Sequence, residues 1–156
     1  MTKVKFLGTL VFTLLIGAGT FAFKTSDDTP KKVKDAFAKK FPMVKKVSWE
    51  KESETEWEAE FKMNKVDYSA NFLEDGTWQE TEHEIKKNAI PLNVKTTLER
   101  EFLGYKIEEA EISETSAGTV YEFELEKGEQ MMEVAIDTNG KTLKKEIREE
   151  NKEDKD

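Results

Sequence analysis

The chain has 156 residues, with 25 Lys and Arg against 33 Asp and Glu, and no cysteine. That length fits one ordinary domain, or two small units that share a core. The net charge of −8 argues against nucleic acid, which needs clustered Lys and Arg, and the missing thiols exclude a disulfide framework, a thiolate zinc site and a Cys nucleophile.

Residues 1–22 read as an export signal. Lys3 and Lys5 form a basic start, Phe6 to Ile16 an apolar stretch, and Thr20 and Ala22 the small positions before a cleavage site after Ala22. The run is shorter than the ~20 residues that span a bilayer comfortably, and no second apolar stretch follows it. A periplasmic or secreted location is therefore expected, without membrane association after cleavage. The mature chain would hold 23 basic and 33 acidic residues, a net charge of −10.

Residues 23–28 read as a linker. Thr29 and Pro30 then supply an expected N-cap and first helical position. Val33, Ala36, Phe37 and Phe41 follow at helical spacing, and Pro42 ends the helix. From here the period drops to 2. Val47 and Trp49, then Trp57, Ala59 and Phe61, then Tyr68, Ala70 and Phe72 alternate with polar residues. Asp75–Gly76 marks a hairpin, and Trp78 opens a fourth strand.

The same order then recurs. Pro91 opens a second helix, where Val94, Leu98 and Phe102 match Val33, Phe37 and Phe41, and Gly104 follows. Ala110 and Ile112, then Tyr121, Phe123 and Leu125, then Met132, Val134 and Ile136 predict three more strands. Asn139–Gly140 answers Asp75–Gly76, and Leu143 begins the last strand. The expected fold is α+β, a tandem repeat of a helix plus a four-stranded antiparallel meander. Repeat 1 covers residues 29–86 and repeat 2 residues 89–149, with a charged tail at 150–156. A unit of about 60 residues is marginal alone, so the two should share an interface, either as a continuous sheet or side by side.

These elements resemble a known family. Pro30, Val33, Ala36–Phe37, Phe41–Pro42, Ser48–Trp49–Glu50, Trp57 to Phe61, Asp75–Gly76 and Trp78, then Pro91, Phe102, Gly104–Tyr105 and Asn139–Gly140, are similar to the pattern of the PepSY-like, beta-lactamase-inhibitor-like exported bacterial proteins. The resemblance implies an architecture like that of the beta-lactamase inhibitor protein. It also implies a non-catalytic binding protein, with a protein or peptide as partner and protein or peptidase inhibition as one form of its action. The chain departs from that inhibitor in having no disulfide, and from the family's pattern at Asn64–Lys65 and Phe102–Leu103–Gly104.

Little in the residues points to catalysis or a cofactor. The single histidine, His83, lies between Glu82 and Glu84, and alternation puts those two on the opposite sheet face. Asp137–Thr138–Asn139–Gly140 begins like a calcium loop, but Arg148 stands where the twelfth-position Glu belongs, so calcium is not expected. Two patterns remain as candidate surfaces. Glu occupies every even position from 50 to 60, with a hairpin break expected near Ser53–Thr55. Glu58 and Glu60 then form one row and Glu122 and Glu124 another. Such rows suit a solvated sheet face, recognition of a basic protein patch, or binding of a cation or small ligand. Trp78 and Tyr105 are the aromatics expected to be partly exposed, and so the candidate interface anchors.

Overall fold

The computed structural model describes residues 28–148. The export signal, nearly all of the linker and the tail lie outside the described residues.

Two ten-residue helices, α1 (Lys31–Lys40) and α2 (Leu92–Glu101), each start directly after a proline. Pro30 holds the cap position itself, with φ −56° and ψ 141°, one residue later than the expected cap at Thr29. The pyrrolidine ring fixes φ near −65° but leaves ψ extended, which is the backbone a cap needs. The Pro30 carbonyl accepts the N–H groups of Val33 and Lys34. Both helices end on an aromatic residue. The Phe41 N–H donates to Phe37 O, and the Phe102 N–H to Leu98 O.

Four strands follow each helix. They are β1 (Val47–Lys51), β2 (Glu56–Met63), β3 (Val66–Leu73) and β4 (Trp78–Glu84), then β5 (Lys106–Thr115), β6 (Gly118–Lys127), β7 (Gln130–Asp137) and β8 (Thr142–Arg148). All eight join one antiparallel sheet whose spatial order is the chain order. Of the two arrangements left open above, the continuous sheet is therefore the one that forms. Its seam is β4 against β5, with Glu80 opposite Thr115 and Glu84 opposite Glu111.

The β2–β3 hairpin turns on Asn64 and Lys65, at φ 53° and 69°. Both central positions of a type I′ turn require positive φ, and a lysine there is strained. Lys65→Gly is expected to raise stability by about 1 kcal/mol. Urea denaturation checks this, and an unchanged or lower midpoint would refute it.

Register shows which side chains share a face. Cross-strand partners point the same way, so Tyr68, His83, Ile112, Tyr121 and Ile136 run across one side of the sheet. Both helices pack on this side. Val33 and Phe37 close a core with Trp49, Trp57, Ala59, Phe61, Ala70 and Phe72. Val94, Leu98 and Phe102 close a second core with Ala110, Phe123, Leu125, Met132, Val134 and Ile136. The opposite side of the same eight strands carries mostly glutamate, serine and threonine.

Candidate functional site

The side opposite the helices can be built row by row from the register. One row runs Glu50, Glu58, Asn71, Glu80, Thr115. The next runs Ser48, Glu60, Ser69, Glu82, Ser113, Val120. A third runs Glu84, Glu111, Glu122, Ala135, Lys144, and a fourth Glu109, Glu124, Glu133, Glu146. The expected hairpin break falls at residues 52–55, so Glu50 and Glu58 lie directly opposite each other.

This face is not the fully solvated row of charges that alternation alone would give. Glu58 is 3% exposed, Glu82 2%, Glu111 2% and Glu122 1%. Glu80 and Glu133 are buried too. All six lie on inner strands, β2 and β4 to β7, where neighbours on both sides cover the stems. Glu60 and Glu124 are half-buried. Hydrogen bonding is sparse. Ser113 Oγ donates to Glu80 Oε2 at 3.1 Å. Glu58, Glu82 and Glu111 each leave Oε1 without a partner, and Glu122 leaves both oxygens so.

The electrostatics follow from that geometry. Removing a carboxylate from water favours its neutral form, and neighbouring carboxylates add to the effect. Burial, then Glu52, Glu60 and Glu50, pushes Glu58 up to about 8. Burial, then Glu109 and Glu84, does the same to Glu111, up to about 8. Burial with Glu80 and Glu111 raises Glu122 to about 8. Burial raises Glu80 to about 7, and burial followed by Glu80, Glu122 and Glu111 raises Glu82 to about 10. Lys144 is the cation beside this group. Its Nζ lies 3.5 Å from Glu133 and 2.9 Å from Glu146. Those two partners raise it against the opposing effect of its own burial.

The six candidate residues do not form one site. Glu58, Glu60, Glu122 and Glu124 share the carboxyl face. Trp78 and Tyr105 pack against the two helix-side cores instead. Trp78 donates from Nε1 to Thr81 Oγ1 at 3.0 Å, and Lys40 Nζ sits 3.4 Å above its ring centre. Tyr105 donates from its hydroxyl to Gln130 Oε1 at 2.6 Å, with Lys127 Nζ 5.3 Å from the ring centre. Both are half-buried, and both already have polar partners.

His83 is on the helix side, its ring 4.7 Å from that of Tyr68, and burial lowers its pKa. Among the described residues no three His, Asp or Glu side chains converge as metal ligands. The Asp137 turn is closed by its own residues, since Oδ1 accepts the N–H groups of Asn139 and Lys141, each at 2.9 Å.

Sequence reasoning overlooked Glu80, Glu82, Glu111 and Asn71. A signal for the first three was present, since each keeps the alternation phase of the Glu rows. Asn71 carried none beyond its place opposite Glu58.

Comparison with known proteins follows the fold. A family model described as "Putative beta-lactamase-inhibitor-like, PepSY-like" matches residues 55–144. Among proteins with curated descriptions, none matches significantly. Several solved structures do. A DUF2874 family protein from Bacteroides ovatus is 16% identical at a TM-score of 0.71, over 78% of this chain and 89% of that one. A BLIP-like protein from Bacteroides fragilis is 19% identical at 0.67, over 80% and 86%. A Bacteroides eggerthii structure described as "putative periplasmic proteins" is 17% identical at 0.69, over 76% and 88%. At these identities the likeness is one of fold.

Proposed function

Because the chain belongs to the PepSY-like, beta-lactamase-inhibitor-like family, we propose that it is an exported, non-catalytic binding protein that takes a protein or peptide partner on the sheet face opposite its helices. One observation carries this reading. Both helices cover the other face, and the face they leave holds buried carboxyls without ion-pair partners. Burying such groups is costly unless something pairs them. A partner laid on the face would supply the missing contacts.

The export signal at residues 1–22 and the Bacteroides neighbour described as periplasmic support a periplasmic or secreted location. The two halves read as tandem copies, each a helix with a four-stranded meander. Gly76 approaches Lys32 and Ala36 as Gly140 approaches Asn93 and Thr97, which is the same contact at matching positions. Inhibition of a protein or peptidase is one form this binding would take. Trp78 and Tyr105 are assigned no contact with the partner, since they lie on the helix side.

Site-specific photo-crosslinking tests the reading. A photoreactive residue at Glu60 or Glu124 should capture one partner from extracytoplasmic extract. The same residue at Lys34 or Lys95, on the helices, should capture none. Equal capture from both sides, or none from the sheet face, would overturn the proposal.

A further inference from the structure

We propose that the occupant of the carboxyl face is cationic: a polypeptide segment whose Lys or Arg head groups pair with the Glu111–Glu122 pair and its flanking rows. This deepens the reading above and rests on it.

Three observations converge. The first is the absence of internal counter-charge. Among the described residues no ion pair reaches Glu58, Glu80, Glu82, Glu111 or Glu122, although all five are buried. The second is an unpartnered amide. Asn71 is fully buried between Glu58 and Glu80 in their row, and neither its Oδ1 nor its Nδ2 makes a hydrogen bond. Glu56 is near enough to feel this amide, but their contact falls short of hydrogen-bond geometry. An Asn so placed has an acceptor and two donors that the chain itself leaves unmet.

The third observation is the pairing the sheet makes for itself. Lys144, on edge strand β8, binds Glu133 and Glu146 with one ammonium. Glu111 and Glu122 repeat that like-charged arrangement directly across β5 and β6, without a lysine of their own within ion-pair reach. Opposed side chains on neighbouring strands have Cβ atoms about 4.5–5.5 Å apart. A guanidinium or ammonium can bridge such a pair through charge-assisted hydrogen bonds of about 2.7–2.9 Å. A metal ion would need its oxygens to converge more closely, and the described residues offer no such group.

Binding of this kind displaces protons. Glu111 and Glu122 hold theirs first because they are buried and then because Glu80, Glu84, Glu109, Glu124 and Glu133 surround them, with Lys144 as the opposing charge on Glu122. A guest cation favours the carboxylates, so each proton given up passes to the buffer and affinity rises with pH.

The test uses a hexaarginine peptide as probe, in isothermal calorimetry with the whole mature chain at about physiological salt. Buffers of different ionisation enthalpy report the proton count. Binding with proton release is expected, weakened at least about tenfold in E111Q/E122Q, a loss of about 1.4 kcal/mol. Variants E99Q and E129Q, on exposed positions away from the face, should bind like the parent. Thermal melts confirm that every variant is folded. Binding without proton release, or equal binding by all variants, would reduce the effect to general attraction and overturn the proposal. So would spermine binding as tightly, because the occupant would then not be a polypeptide. If hexaarginine fails while Glu60 and Glu124 still crosslink a partner through a segment without Lys or Arg, this inference falls and the proposed function stands. If both fail, both fall.

Discussion

Raising the pH from 5 to 9 is expected to lower the melting temperature of the protein, and Gln at Glu82 and Glu122 to remove much of that loss. The folded chain keeps protons on Glu58, Glu111 and Glu122 up to about pH 8. An exposed glutamate ordinarily titrates near 4.5. The folded state therefore binds more protons than the unfolded state across this window. Stability is fully present below the unfolded value and is lost as pH rises through the folded one. The groups face one another, with Glu80, Glu82, Glu109 and Glu124 in adjoining positions and Lys144 the nearby cation, so their protons leave in shared steps. A net loss of about 3 kcal/mol between pH 5 and pH 8 follows, on the order of 10 °C in Tm. Glutamine keeps the shape of the protonated acid and cannot ionise. E82Q/E122Q should thus match the parent near pH 4 and exceed it at pH 8. The control E99Q/E129Q removes two exposed charges and should keep the parent's slope. Calorimetric melts across the range decide the matter. A flat or rising Tm would mean that the face is hydrated and ionised.

Gly76→Ala and Gly140→Ala are each expected to cost about 2–4 kcal/mol, the sum of left-handed backbone strain and overlap. Gly76 has φ +88°, and a Cβ there would lie 2.8 Å from Lys32 O. Gly140 has φ +82°, and its Cβ would lie 2.8 Å from Asn93 O and 3.1 Å from Thr97 Oγ1. Each glycine is where the last hairpin of its half meets the covering helix. Helix backbone cannot retreat without opening the core that Val33 or Val94 closes. Gly128 is the control, since it shares the positive φ, at +65°, but nothing lies within 4 Å of its added Cβ. G128A should cost only about 1 kcal/mol. Urea denaturation ranks the three, and equal losses would mean that turn strain alone, not the helix contact, sets the requirement for glycine.

Side-chain periodicity made most of the fold legible. The switch from Val33, Phe37 and Phe41 to Trp57, Ala59 and Phe61 marks helix and strand, because 3.6 and 2 are the only periods that give each a continuous apolar side. The turn pairs Asp75–Gly76 and Asn139–Gly140 placed the hairpins, since few residues accept positive φ. Crowding was not legible. Alternation assigns Glu82 and Glu111 to the far face, but whether that face is wet depends on how many strands flank them. The continuity of β4 with β5 decides that, and it rests on backbone pairing between residues far apart in sequence. Trp78 and Tyr105 fail as a pair with the glutamates for a related reason. Strict alternation would put Trp78 with Glu80 and Tyr105 with Glu109, but the register shifts at Asn71–Phe72 and Ile107–Glu109 turn both to the helix side, where Thr81 and Gln130 hold them.

The seam between β4 and β5 also bears on how the molecule comes apart. Two separate apolar clusters lie beneath one sheet, and on the helix side the strands that join them bring Thr81 against Glu114 and His83 against Ile112. That junction is mainly a ladder of backbone hydrogen bonds with little oil between the halves. Each half can therefore open without dragging the other with it, as a separate cooperative unit. Amide exchange should show two protection levels that meet at this ladder, and pulling the chain by its ends should yield two unfolding steps instead of one.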